Sequence, residues 1–275
     1  MPEFAALDLI EHWPVDHVAV AMIGADGTRA RAGNLEHVFR LASISKMMAA
    51  YAVLIAVEEG SVALDDPAGP PGSTLRHLLS HAGGYGFAAN DAILAAPGKQ
   101  RIYSNQGFDV LTTHVAKATG IAFADYLQEA VFAPLGMSHA SLRGSAAAEV
   151  HARLDDVERF AAELLRPTLI AAATQRDMIS VHFPELAGVL PGFGRFRPLP
   201  WGLGVEIKGE KTPHWSGSQT SARTFGHFGG SGTFLWVDPE IDLALVALSD
   251  RDFGDWARAS WPELSNAAVT AFGAH

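Results

Sequence analysis

The sequence predicts an α+β fold: an antiparallel sheet flanked by N- and C-terminal helices, with a mostly helical domain inserted into it. Three observations carry this reading. Strand-type runs occupy the first thirty-odd residues. They become scarce between about Ser61 and Pro200, where Gly- and Pro-rich loops separate short helical patterns. They return after Pro200, and the chain closes on a helix. One sheet domain is therefore expected from residues 1–61 and 200–275 together, a helical domain from 62–199, and a cleft between them.

The elements follow in order. A short helical start, Phe4 to His12, precedes a strand at His17–Ile23. Gly24-Ala25-Asp26-Gly27 is a turn signal, and Thr28–Ala32 returns as a second strand. A small, apolar helix runs from Ser43 to Glu59 and stops at Gly60. In the insert, helices are expected over Leu75–His81, Phe108–Thr119, Ala122–Val131 and Glu149–Leu165. After Pro200, strands are expected at Trp201–Ile207, Phe225–Gly232, Thr233–Val237 and Leu243–Leu248, then a helix from Trp256 to Phe272.

Composition bounds the function. The 275 residues are 48% hydrophobic and 18% charged, enough to build a sizeable core. The net charge of −10, with no cluster of Lys or Arg, argues against nucleic acid or an anionic membrane as partner. With no cysteine, disulfides, thiol nucleophiles and Cys-based zinc sites are excluded. No apolar run has transmembrane length, and the first residues lack a signal-peptide pattern, so a cytoplasmic protein without membrane insertion is expected.

Ser43-Ile44-Ser45-Lys46 heads the apolar run that ends at Val57. No other lysine occurs before Lys99. Positions i and i+3 share a helical face, so the Lys46 ammonium can reach the Ser43 hydroxyl. A lysine pressed into an apolar helix start is desolvated, which lowers its pKa and lets it serve as a base. The same residues also read as a helix-capping serine with a snorkelling lysine.

Two further clusters carry chemistry. Tyr103-Ser104-Asn105, in the loop before the Phe108 helix, can turn a phenol and an amide toward one cavity; a packed loop tyrosine and an Asx turn would look the same. Phe225-Gly226-His227-Phe228-Gly229-Gly230-Ser231-Gly232 has the glycine density of a strand approached by a ligand or another backbone. His227 at its head is either a proton carrier or a structural histidine.

The order Ser-x-x-Lys, Tyr-x-Asn, His-x-Gly resembles the penicillin-recognising serine hydrolases, in the branch of class C β-lactamases, D-alanyl-D-alanine carboxypeptidases and related esterases. Local matches at Leu64–Pro67, Leu78–Gly84, Pro134–Met137 and Trp236–Pro239 extend the resemblance from about Val18 to Leu248. It implies a β-lactamase/transpeptidase-like fold and an acyl-enzyme hydrolase needing no cofactor and no metal. It also implies the roles. Ser43 is the nucleophile, and Lys46 and Tyr103 exchange its proton, either one being the resting base. Asn105 holds Lys46 and substrate. The backbone N–H groups of Ser43 and Gly230 form the oxyanion hole. Gly229, Trp201 and Phe228 are the candidate substrate-binding residues, and the aromatics Trp201, Trp215 and Phe228 either line an acyl pocket or simply pack.

One feature departs from the pattern. His227 stands where the lactamases usually carry lysine, and a neutral imidazole is a poorer clamp for a substrate carboxylate. Lys211-Thr212-Pro213 imitates the missing motif but lies in a loop without its glycine. His77 and His81, four apart, have no third ligand and match the family's structural Leu-Leu-x-His segment. The expected substrate is a small ester or amide. The alternatives are a true β-lactamase or D-Ala-D-Ala peptidase, and an inactive relative that serves as a binding protein.

Overall fold

The computed structural model describes residues 6–88 and 92–272. Its centre is a six-stranded antiparallel sheet in the order β2-β1-β11-β10-β9-β8. The strands are β1 (Val18–Gly24), β2 (Gly27–Gly33), β8 (Glu206–Ile207), β9 (Phe225–Gly229), β10 (Thr233–Asp238) and β11 (Leu243–Ser249). The N-terminal hairpin thus docks on the C-terminal strands, with Val18 opposite Ser249 and Gly24 opposite Leu243. Both faces of the inner strands are covered, which explains why they read as continuous apolar runs rather than alternating ones.

The two faces feed two cores. Ala19, Ala21, Ile23, Leu235, Val237, Ala244, Val246 and Leu248 belong to the larger one, shared with the helices on that side. Val20, Met22, Phe234, Trp236, Leu243 and Leu245 belong to a second, with Trp261, Leu264 and Ala268 of the closing helix, Asp255–Phe272. The central helix α1 (Ser45–Glu58) is buried at every residue from Ser45 to Ala56, so it has no polar face to present. The remaining helices are α2 (Leu75–Leu79), α3 (Asn105–Thr119), α4 (Phe123–Leu127), α5 (Leu154–Leu165), α6 (Ala172–Met178) and α7, the closing helix. Among the described residues, no helix is long and apolar enough to cross a membrane.

Several expected elements shift. The helical start is a 3-10 turn at Asp8–His12; Phe4 and Ala5 lie outside the described residues. The third expected helix of the insert splits into α4 and a π turn at Gln128–Phe132. The fourth begins only at Leu154, because Asp156 caps it by accepting from the Arg153 and His139 N–H groups. The stretch before it is instead strand β5 (Val150–Ala152), the middle of a small sheet with β3 (Phe39–Arg40) and β4 (Ser141–Leu142). Helix α5 then packs on β1, β10 and β11 of the main sheet.

Of Trp201–Ile207 only the last two residues form strand. A side chain at Gly202 would run into the Met178 carbonyl, and Gly204 has φ +80°, so the approach to β8 is a close-packed turn. Helix α6 and the hairpin β6 (Gly188–Leu190) with β7 (Gly194–Phe196) have no counterpart in the pattern reading, being too short for periodicity to register.

Candidate active site

Ser43 lies in a single 3-10 turn, Ala42–Ile44, that leads into α1. The turn is held in an uncommon conformation: Ala42 has φ +45°, where a side chain is disfavoured by of order 1–3 kcal/mol. The cost is met by tethers from the glycine strand. Thr233 Oγ1 donates to the Leu41 carbonyl at 2.9 Å and Ser231 Oγ to the Arg40 carbonyl at 2.6 Å. Gly229 is glycine because of this approach; a Cβ there would collide with the Leu41 carbonyl oxygen and Thr233 Oγ1. The contact brings Gly230 into the same cavity wall as Ser43.

Lys46 is fully buried one turn further along. Its Nζ stands 3.3 Å from Ser43 Oγ and donates to Asn105 Oδ1 at 2.6 Å and to the Ala147 carbonyl at 2.8 Å. Burial pushes its pKa down from 10.5 to about 7, with Asp109 pulling weakly the other way. Asn105 is presented by the start of α3, which Ser104 caps by accepting from the Gly107 N–H at 2.9 Å. That cap starts the helix three residues before the apolar pattern does, and it fixes Tyr103 just ahead of it. Ser45, by contrast, points away and accepts from the Val150 N–H.

Tyr103 is wedged between rings, 4.6 Å from His81, 5.6 Å from His227 and 6.0 Å from Trp201, with Lys46 Nζ 4.7 Å from its own centroid. Its hydroxyl is buried and makes no hydrogen bond of good geometry among the described residues. Burial raises the phenol pKa, and the nearby Ser43 hydroxyl opposes that rise only in part, so the group is held as a neutral acid.

His227 is also buried and neutral. Its Nδ1 donates to the Phe228 carbonyl at 2.6 Å, leaving Nε2 as a bare acceptor without a partner. Burial, helped by the charge of Lys46, lowers its pKa to about 4. His81 is neutral for the same reason; its Nδ1 accepts from the Ser104 N–H, so this histidine positions the Tyr103-Ser104-Asn105 loop.

The cavity in front of Ser43 holds about 150 Å3. Tyr103, Trp201, His227, Phe228 and Gly230 line it, together with Phe87, Leu190, Pro191 and Phe253. The expected residues therefore converge. Ser43, Tyr103, Trp201, His227, Phe228 and Gly230 share the cavity, Lys46 and Asn105 stand behind Ser43, and Gly229 seats the strand rather than lining the space. Sequence reasoning missed four apolar wall residues, the Ala147 carbonyl and Asp109. Only Asp109 had a signal, its i+4 spacing from Asn105 on one face of α3; a backbone carbonyl has none.

The two neighbouring cations are already engaged. Lys211 pairs with Glu206 Oε1 at 3.2 Å, in a buried cluster where Glu206 also accepts from Trp215 Nε1 and meets His214. The Arg101 guanidinium is buried against backbone, donating to the carbonyls of Ser80, His182, Phe183 and Leu199. It ties the Tyr103 loop to the turns around it.

A family model described as Beta-lactamase matches residues 16–269. The chain belongs to the beta-lactamase family. A crystal structure of a beta-lactamase from Mycobacterium bovis superposes with a TM-score of 0.95 at 50% identity, over 97% of this chain and 99% of that one. Among curated relatives, the D-alanyl-D-alanine-carboxypeptidase/endopeptidase AmpH of Escherichia coli is 28% identical over 192 residues, 50% of this chain and 49% of that protein. The chain thus spans about half the length of that relative. A beta-lactamase of Escherichia coli is 22% identical across 94% of this chain and 90% of its own. The fold is that of the beta-lactamases and penicillin-binding-protein homologues.

Proposed function

We propose that this family member is a serine hydrolase that cleaves small uncharged esters through a Ser43 acyl-enzyme. The observation that carries the reading is the contact of Ser43 Oγ with a lysine whose pKa is about 7. Near neutrality a large share of Lys46 is unprotonated, and Tyr103 keeps its proton. Lys46 is then the resting base and Tyr103 the acid.

In acylation the Ser43 Oγ–carbonyl carbon bond forms as the Ser43 proton passes to Lys46. The oxyanion lies against the Ser43 and Gly230 N–H groups, and the ester C–O bond breaks as Tyr103 supplies a proton to the leaving alcohol. Lys46 returns a proton to Tyr103, and water then releases the acid by the reverse sequence. Asn105 Oδ1 and the Ala147 carbonyl hold the ammonium while it exists.

Neutrality of the substrate follows from charge. Among the described residues no lysine or arginine lines the cavity, His227 is uncharged near pH 7, and Arg101 and Lys211 are engaged by other partners. A substrate carboxylate has no counter-ion waiting. Hydrolysis of β-lactams is the second reading, supported by the beta-lactamase that is 50% identical over almost the whole chain.

The test is turnover of ethyl acetate, p-nitrophenyl butyrate, nitrocefin and a D-alanyl-D-alanine peptide by wild type and Ser43→Ala. Esters should be cleaved with higher kcat/KM than the carboxylate substrates, and Ser43→Ala should lose at least about a thousandfold. Undiminished ester turnover in Ser43→Ala would refute the proposal, and faster nitrocefin turnover would replace it with the second reading. No ester turnover, with no fluorophosphonate labelling of Ser43, would leave an inactive binding protein.

A further inference from the structure

Beside the Ser43 cavity lies a second hollow, of about 310 Å3, whose apolar wall is Phe87, Leu94, Ile102, Val189 and Pro191; Gln100 and Arg101 also line it, the Arg101 guanidinium being engaged by backbone carbonyls. Phe87, Tyr103 and Pro191 belong to the walls of both, so the two spaces adjoin at Tyr103. The groove also gathers the surface's apolar residues. Six large hydrophobic side chains are exposed among the described residues; Phe87, Leu94 and Val189 line this groove, and Ile93 is adjacent to Leu94. Apolar surface concentrated at the mouth of a site marks a place for a ligand to cover.

We propose that the groove takes the apolar arm of the leaving alcohol, so that the natural substrate is an ester of a short acid with a larger, hydrophobic alcohol. The inference rests on the esterase reading above. Two features assign the arms. The Ser43 cavity is the smaller of the two and about the size that accepts a benzene-sized group, which limits the acyl side. The groove opens from Tyr103, the residue that hands its proton to the departing oxygen, so the alcohol leaves on that side.

The wall is also fixed to the machinery. Asn105 N–H donates to the Phe87 carbonyl at 2.8 Å, and the Phe87 and Tyr103 rings stack at 5.9 Å. An occupied groove presses on the loop that carries Tyr103 and Asn105.

Two ester series separate the arms: ethyl to octyl acetate, and ethyl acetate to ethyl octanoate. For wild type, kcat/KM should rise about threefold per added methylene of the alcohol until the groove is filled, and fall beyond a six-carbon acid. Val189→Asp and Leu94→Asp, at exposed positions, should flatten the alcohol series. Leu35→Ser, an exposed apolar residue elsewhere, should leave both series unchanged. A rise along the acid series in place of the alcohol series overturns the assignment, as does an alcohol slope that survives in both aspartate variants. Calorimetric titration of octyl and ethyl acetate into Ser43→Ala reads the groove with the chemistry silenced. Equal affinities overturn it whatever the wild type turns over. Tighter octyl binding without any turnover in wild type retains the groove and sinks the esterase reading.

Discussion

Replacing Lys46 with methionine should make the protein less active and should flatten the rise of its stability with pH. A pKa moved from 10.5 to about 7 by burial means that the folded state bears roughly 5 kcal/mol of penalty for the ammonium. The sign follows from proton counts. Between pH 7 and 10.5 the unfolded chain keeps Lys46 protonated while the folded chain does not, so the unfolded state binds more protons and stability rises with pH. Below pH 7 both states are charged and the penalty is complete.

Lys46→Met removes the titration, at the cost of leaving Asn105 Oδ1 and the Ala147 carbonyl without their donor, about 1–3 kcal/mol each. That cost does not vary with pH. The stability difference between variant and wild type should therefore shrink by about 2–3 kcal/mol from pH 7 to 9, whatever its starting value. Urea denaturation of both proteins at half-unit steps from pH 6 to 9.5 measures it. Over the same range wild-type kcat/KM should climb through an apparent pKa near 7, and the variant should lose about 100- to 10,000-fold. Parallel stability curves would show that Lys46 keeps an ordinary pKa, and the base assignment would go with it.

Tyr103→Phe removes a hydroxyl that makes no well-formed hydrogen bond among the described residues, so stability should hold within about 1 kcal/mol by urea denaturation while kcat falls roughly 100-fold or more. Asp109→Asn deletes the charge that opposes Lys46 deprotonation, so the acid limb of the kcat/KM profile should move to lower pH. Gly229→Ala forces the strand off the Leu41 carbonyl; a loss of about 1–3 kcal/mol is expected in denaturation, with kcat reduced more than KM is raised, because Gly230 leaves its place beside Ser43. Arg101→Met strands four buried carbonyls and should cost on the order of 3–5 kcal/mol, measured the same way.

Much of this molecule was legible in its residues. The apolar run after Ser43 announced a buried helix because nothing polar interrupts it, and the i,i+3 spacing of Ser43 and Lys46 became a 3.3 Å contact. The six strands of the main sheet were each anticipated, though not their order within it. Short elements were not: β5 has three residues and pairs with two-residue strands, one of them Phe39–Arg40 more than a hundred residues away, so its own sequence read as the beginning of α5.

What the sequence alone determined was chemical identity: a hydroxyl, an amine, a phenol and an amide at spacings that local structure converts into neighbours. Their working states depend on surroundings that no local pattern contains. Lys46 titrates near neutrality because helices and strands from distant parts of the chain exclude water from it. His227 became an uncharged acceptor because the Phe228 carbonyl holds its proton on Nδ1 and burial keeps a second one off. The cavity wall of Phe87, Leu190, Pro191 and Phe253 came from three separate segments, joined only in the folded chain. Desolvation and enclosure are sums over distant contacts, which is why tertiary structure decided them.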